Sequence, residues 1–82
     1  MVANSHEKQL VLYTGTDCHL CELAKGILDE VIGSECYKSI NISDNKILRA
    51  EYGIRIPVVK TEAGLEKDWP FTAGQIKRML VG

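Results

Sequence analysis

No run of apolar residues in this chain exceeds the four from Leu10 to Tyr13. Crossing a bilayer takes roughly 20, so no membrane partner is expected. The segment from Met1 to Lys8 lacks the apolar stretch of a secretory leader, and a cytoplasmic home is expected. An excess of one charge is also missing. Ten Lys and Arg stand against eleven Asp and Glu, for a net charge of -1, and the lysines are dispersed. That is no phosphate-binding footprint, and no nucleic-acid partner is expected. Cysteine is too scarce and too unevenly spaced for the disulfide framework of a secreted miniprotein: there are three, of which only Cys18 and Cys21 are close. With two prolines, Pro57 and Pro70, and no low-complexity tract, there is no linker. One domain over residues 1–82 is expected.

The apolar residues that are present follow alternating periods. Residues 9–13, Gln-Leu-Val-Leu-Tyr, suit a buried strand bounded by Thr14 and Gly15. From about Cys18 to Ile32, Leu20, Leu23, Ala24, Ile27, Leu28 and Val31 form an amphipathic stripe. Thr16 or Asp17 is the expected N-cap and Gly33 the residue past the C-terminus. Gly26 inside that helix suggests close packing against a neighbour. A second strand is expected over Cys36–Ile42, then a helix capped by Ser43 or Asp44, carrying Ile47, Leu48 and Tyr52 and ending at Gly53. Ile54, Ile56, Val58 and Val59 around Pro57 read as a third strand. Glu62-Ala63-Gly64 reads as a turn and Leu65–Asp68 as the returning strand of a hairpin. Thr72 and Gln75 have capping-box spacing ahead of a last helix with Ile76, Met79 and Leu80. The order is βαβαββα, an α/β class with a four-stranded mixed sheet whose first two strands are parallel.

The chemistry concentrates in Cys18-His19-Leu20-Cys21. Residues three apart share a helix face, which brings the two sulfurs within disulfide reach. Cys18 lies where unpaired backbone N–H groups and the positive helix end converge. Both favour a thiolate there and make it the expected nucleophile. Cys21, one turn deeper, is the expected resolving thiol. His19 is expected to support the thiolate and Asp17 to oppose it, which places the pair at an intermediate redox potential. A non-catalytic interaction module with inert cysteines is one alternative, and a zinc or iron-sulfur site using the same thiols is the other. It would need further ligands from Cys36, His19 or His6, and no second Cys-x-x-Cys is present. Cys36 itself reads as a small buried hydrophobe. Ile56-Pro57 at the start of a strand suggests a special backbone such as a cis peptide. That geometry would leave the Ile56 N–H and C=O free for an extended substrate. Trp69 and Phe71 read as core anchors ahead of a capped helix, with an apolar lip near Leu20 and Ile56 as the other reading.

In this order, Leu-Val-Leu-Tyr, Cys18-x-x-Cys21, Arg49-Ala50-Glu51-Tyr52-Gly53 and Ile56-Pro57-Val58 resemble the thioredoxin fold and, more closely, its glutaredoxin-like members. The likeness spans about Leu10 to Leu80. Cys18-His19-Leu20-Cys21 with Asp68-Trp69-Pro70-Phe71 is similar to small bacterial glutaredoxin-like proteins. The resemblance implies a monomeric dithiol oxidoreductase working on protein disulfides or glutathione mixed disulfides. Cys18 would attack, Cys21 would resolve, and Thr16, Leu20, Ile56 and a cis Pro57 would meet the substrate. No cofactor or metal is implied, and glutathione is an available reductant. The motif departs from the usual Cys-Pro-Tyr-Cys, and Thr14 and Thr16 stand before it where the family carries a basic residue.

Overall fold

The structure is a computed structural model that describes residues 10–81. His6, Gln9 and the segment Met1 to Lys8 lie outside the described residues. The elements are β1 (Leu10–Thr14), α1 (His19–Val31), β2 (Tyr37–Asn41), α2 (Lys46–Tyr52), β3 (Val58–Thr61), β4 (Glu66–Asp68) and α3 (Ala73–Val81). The expected βαβαββα order is the observed one. The sheet runs β2-β1-β3-β4, with β1 parallel to β2 and antiparallel to β3, and β3 antiparallel to β4.

Period-two alternation along β1 and β3 sorts their side chains onto two faces. Leu10 and Leu12 of β1 and Val59 of β3 point to one face, where they pack with Ala24 and Leu28 of α1, Ile76 of α3, Tyr37 and Phe71. Tyr13 and Val58 point to the other, toward Tyr52 and Leu48 of α2, Ile42 and Ile56. Phe71 is buried in the first cluster and Trp69 packs against it, with the two rings in an edge contact at 5.1 Å. The anchor reading of these aromatics therefore holds.

Several local expectations are corrected. The N-cap of α1 is Cys18, neither Thr16 nor Asp17. Asp17 instead takes a left-handed conformation with φ 55, which turns the chain into the helix. Gly33 does follow the C-cap, at φ 85, and its N–H reaches back to the carbonyls of Leu28 and Asp29. Gly26 packs against nothing: a Cβ there would find open space. Cys36 ends a short 3-10 turn over Ser34–Cys36 and is half-buried, because β2 begins only at Tyr37. Asn45 caps α2 through a bond from the Leu48 N–H to its Oδ1 at 2.9 Å, displacing Ser43 and Asp44. Ile54 is fully exposed, since the turns after α2 hold residues 53–57 out of the ladder and β3 starts at Val58. The capping box of α3 is formed, with Thr72 and Gln75 each accepting from the other's backbone N–H at 2.9 and 3.2 Å.

Candidate active site at the end of the first strand

The loop Gly15-Thr16-Asp17 carries the chain from β1 into α1 and delivers Cys18 to the helix N-terminus. There Cys18 has an extended backbone, and its Sγ accepts the Cys21 N–H at 3.2 Å. Its carbonyl accepts the N–H groups of Cys21 and Glu22 at 3.1 and 3.3 Å. The sulfur thus occupies the position at which an oxygen usually caps a helix. Cys18 and Cys21 form a disulfide with their Cα atoms 5.2 Å apart. The two sulfurs are unequal in access: Cys21 is 1% exposed, while Cys18 sits at the surface of a shallow depression. That depression, about 440 Å³, is lined by Gly15, Asp17, Cys18, His19 and Glu22.

The loop is braced from the neighbouring β2–α2 connection. The Thr16 N–H donates to Ser43 Oγ at 3.0 Å, the Asn41 amide donates to Thr16 Oγ1 at 3.3 Å, and the Ser43 N–H donates to Asn41 Oδ1 at 2.8 Å. The N–H and the hydroxyl oxygen of Thr16 are therefore engaged within the protein. Gly15 packs against the approach to the third strand. A Cβ on it would lie 2.6 Å from Ile56 Cδ1, so any larger residue would have to displace the end of the Ile56 side chain.

Tyr13 of β1 pairs with Val58 of β3. Continuing that register sets Pro57 opposite Thr14 and Ile56 opposite Gly15, beside the site loop. The Ile56-Pro57 peptide is cis, as is Trp69-Pro70. Pro57 is fully buried, and its carbonyl accepts the Trp69 N–H at 3.0 Å. The Ile56 N–H is not free as expected: it donates to the Tyr52 carbonyl at 3.1 Å. Tyr52, at the end of α2, has folded its last turn toward this segment and captured the donor.

Arg55, one residue earlier, holds a network the sequence did not disclose. Its guanidinium donates to Asp68 at 3.0 Å and to Glu66 at 2.7 Å, and lies 5.0 Å from the centre of the Tyr52 ring. The Tyr52 hydroxyl donates to Glu66 at 2.8 Å, and its ring stacks on Tyr13 at 4.2 Å. Arg55 holds the carboxyls of both Glu66 and Asp68 below the ordinary carboxylate range, with Tyr52 adding to the effect on Glu66.

Of the predicted site residues, the structure brings Asp17, Cys18 and His19 into one depression, with Cys21 directly beneath. Leu20 is exposed on the first turn of α1 and does not line it. Glu22 does line it and was missed, although its position four residues after Cys18 puts it on the same helix face. Among the described residues no group of three or more His, Cys, Asp or Glu could hold a metal ion, and no helix is long and apolar enough to cross a membrane. His6, one of the ligands considered for zinc, lies outside the described residues.

Comparison with known proteins gives two kinds of match. A family model described as "Glutaredoxin-like domain (DUF836)" covers residues 9–81. Among solved structures, the X-ray structure of the structural genomics target protein XcR50 from X. campestris superposes with a TM-score of 0.80. It is 38% identical, over 88% of this chain and 95% of that one. The solution structure of XcR50 gives a TM-score of 0.78 and 37% identity over 89% and 92% of the two chains. No curated protein matches. The fold is thus the thioredoxin-like one that the sequence resembled.

Proposed function

This chain belongs to the glutaredoxin-like domain family, and on that premise we propose that it is a thiol-disulfide oxidoreductase whose working dithiol is Cys18 and Cys21. The observation that carries the reading is the inequality of the two sulfurs: an accessible one capping a 13-residue helix, and a buried one beneath it. A thiolate at Cys18 would receive the N–H groups of the first helical turn and the positive end of the helix, both of which favour the anion. His19 beside it would add a donor, and Asp17 would oppose it.

In the reductive direction the Cys18 thiolate attacks one sulfur of a substrate disulfide. A Cys18–substrate disulfide forms and the other substrate sulfur leaves as a thiolate. Cys21, having lost its proton to water, then attacks Cys18 Sγ. The substrate leaves as its second thiolate, its two sulfurs now holding the two electrons lost by the protein, and the Cys18–Cys21 disulfide is left behind. A thiol such as glutathione, or a dithiol protein, returns those electrons by the reverse exchange. The substrates are protein disulfides or glutathione mixed disulfides. Exposed Leu20 would offer an apolar contact, and the Ile56 carbonyl, held in place by the buried Pro57, would border the approaching chain.

Cys18→Ser is expected to abolish turnover. Cys21→Ser is expected to retain the attack and accumulate mixed disulfides that non-reducing mass spectrometry resolves. Retention of dithiol activity by Cys18→Ser contradicts the assignment.

A further inference from the structure

Resting on that exchange reading, we propose that the site selects its partners by charge and prefers polypeptide cysteines bordered by lysine or arginine over those bordered by acidic residues. The depression around Cys18 contains two carboxylate side chains, Asp17 and Glu22, and no lysine or arginine. They flank the sulfur from both sides: Asp17 is the residue before it in the chain, and Glu22 lies one helical turn on. Both residues are exposed, so their charges are available to an incoming partner. Among the described residues no ion pair involves Asp17. Glu22 meets Lys25 Nζ at 3.7 Å, an exposed pair that holds it weakly.

The charges that matter in the exchange step are those within reach of the attacked sulfur. The scale of the effect follows from taking roughly 8 Å as the separation between a cationic side chain next to a substrate cysteine and each carboxylate. In water each such pair changes the encounter by about twofold to threefold, attractive for a cation and repulsive for an anion. The two carboxylates together then favour a cationic partner over a neutral one by roughly fourfold to ninefold, and over an anionic one by about sixteenfold or more, at low ionic strength. Salt should erase most of the difference. The Cys18 thiolate contributes in the same direction, but every thiolate does so. The feature particular to this chain is the pair of carboxylates beside it.

The test uses the reduced full-length chain and three disulfide-linked dimers of blocked tripeptides, Lys-Cys-Lys, Gln-Cys-Gln and Glu-Cys-Glu, at pH 7.5. Each oxidation rate is divided by that of dithiothreitol with the same peptide, which removes the intrinsic reactivity of the disulfide and the common effect of a thiolate. The wild-type protein should prefer the lysine peptide over the glutamate peptide by more than about tenfold in 10 mM salt and by less than about twofold in 0.5 M salt. In the double variant Asp17→Asn, Glu22→Gln the preference should collapse toward one. The glutamine peptide absorbs any change in Cys18 reactivity shared by all three. A normalised preference near one in the wild type, or one that survives in the variant, overturns the inference while leaving the exchange reading standing. If even the glutamine peptide fails to oxidise the dithiol, the exchange reading fails and the inference falls with it.

Discussion

On its α1 and α3 side the sheet buries Leu12, Leu28, Val59 and Ile76, all at zero exposure, whereas on its α2 side the packing is organised around Tyr52 and the Arg55 guanidinium. The first face is held by removal of apolar surface and by dispersion, which are additive and indifferent to direction. The second is small in apolar content, with three buried residues, and is completed by directional contacts: a ring stack, a cation over a ring, and a guanidinium shared by two carboxylates. The difference teaches a division of labour. The apolar face fixes α1, and therefore the buried Cys21, against the sheet. The polar face fixes the Tyr52–Pro57 segment that packs on Gly15 ahead of Cys18.

The largest break should come on the apolar face. Leu28→Ala removes a fully buried side chain and is expected to cost about 2–5 kcal/mol in denaturant unfolding, a large share of the stability of so small a chain. A cost below about 1 kcal/mol would mean that this face is not the principal support. On the polar face, Tyr52→Phe keeps the stack on Tyr13 and loses only the hydroxyl bond to Glu66. About 1 kcal/mol is expected, measured the same way.

The two faces also make a matched pair in alkali. Burial, and then a hydrogen bond to a carboxylate, pushes the hydroxyls of Tyr37 and Tyr52 well above the ordinary tyrosine value of 10.0, with Asp29 the partner of one and Glu66 of the other. A raised folded value means that the contribution to stability is complete below pH 10 and is lost as pH rises beyond it. Stability should therefore fall above pH 10, and Tyr37→Phe and Tyr52→Phe should each make that fall shallower. Acid acts on the α2 face. Glu66 and Asp68 are lowered, so the unfolded chain binds their protons more readily. Their support is present above about pH 4 and is lost as pH falls through the folded values. Arg55→Met should flatten the acid limb of the stability profile. An unchanged limb would remove the network from the account.

The smallest effect should be a gain. Gly26→Ala on α1 meets no neighbour and is expected to stabilise by about 0.5–1 kcal/mol, since alanine restricts the unfolded chain and the helix has room for it.

This contrast also governs what could be read from the sequence. The apolar face was legible because Ala24, Ile27, Leu28 and Val31 and the Leu-Val-Leu run repeat with helix and strand periods, although the same stripe also took in Leu20 and Leu23, which are exposed. The Thr72 and Gln75 capping box is a local pattern. The cysteines were legible for the same local reason. The polar face was not, because Arg55 meets Glu66 and Asp68 only after the hairpin folds back, and no periodicity marks a contact between residues eleven or thirteen apart. The Asn41 and Ser43 brace on Thr16 was hidden for that reason too, at separations of 25 and 27 residues. Caps were misplaced by one or two residues because Thr16, Asp17 and Cys18, like Ser43, Asp44 and Asn45, offer several acceptors in a row. At α1 the acceptor that won was sulfur.

The most direct test of the central claim is intact mass, with thiols trapped, after equilibrating the full chain in a series of glutathione redox buffers. The account predicts reversible loss of two hydrogens mapped to Cys18 and Cys21, at a potential between about -270 and -120 mV. Two thiols that stay reduced across the whole series, or that are shielded from alkylation by stoichiometric metal, would contradict it.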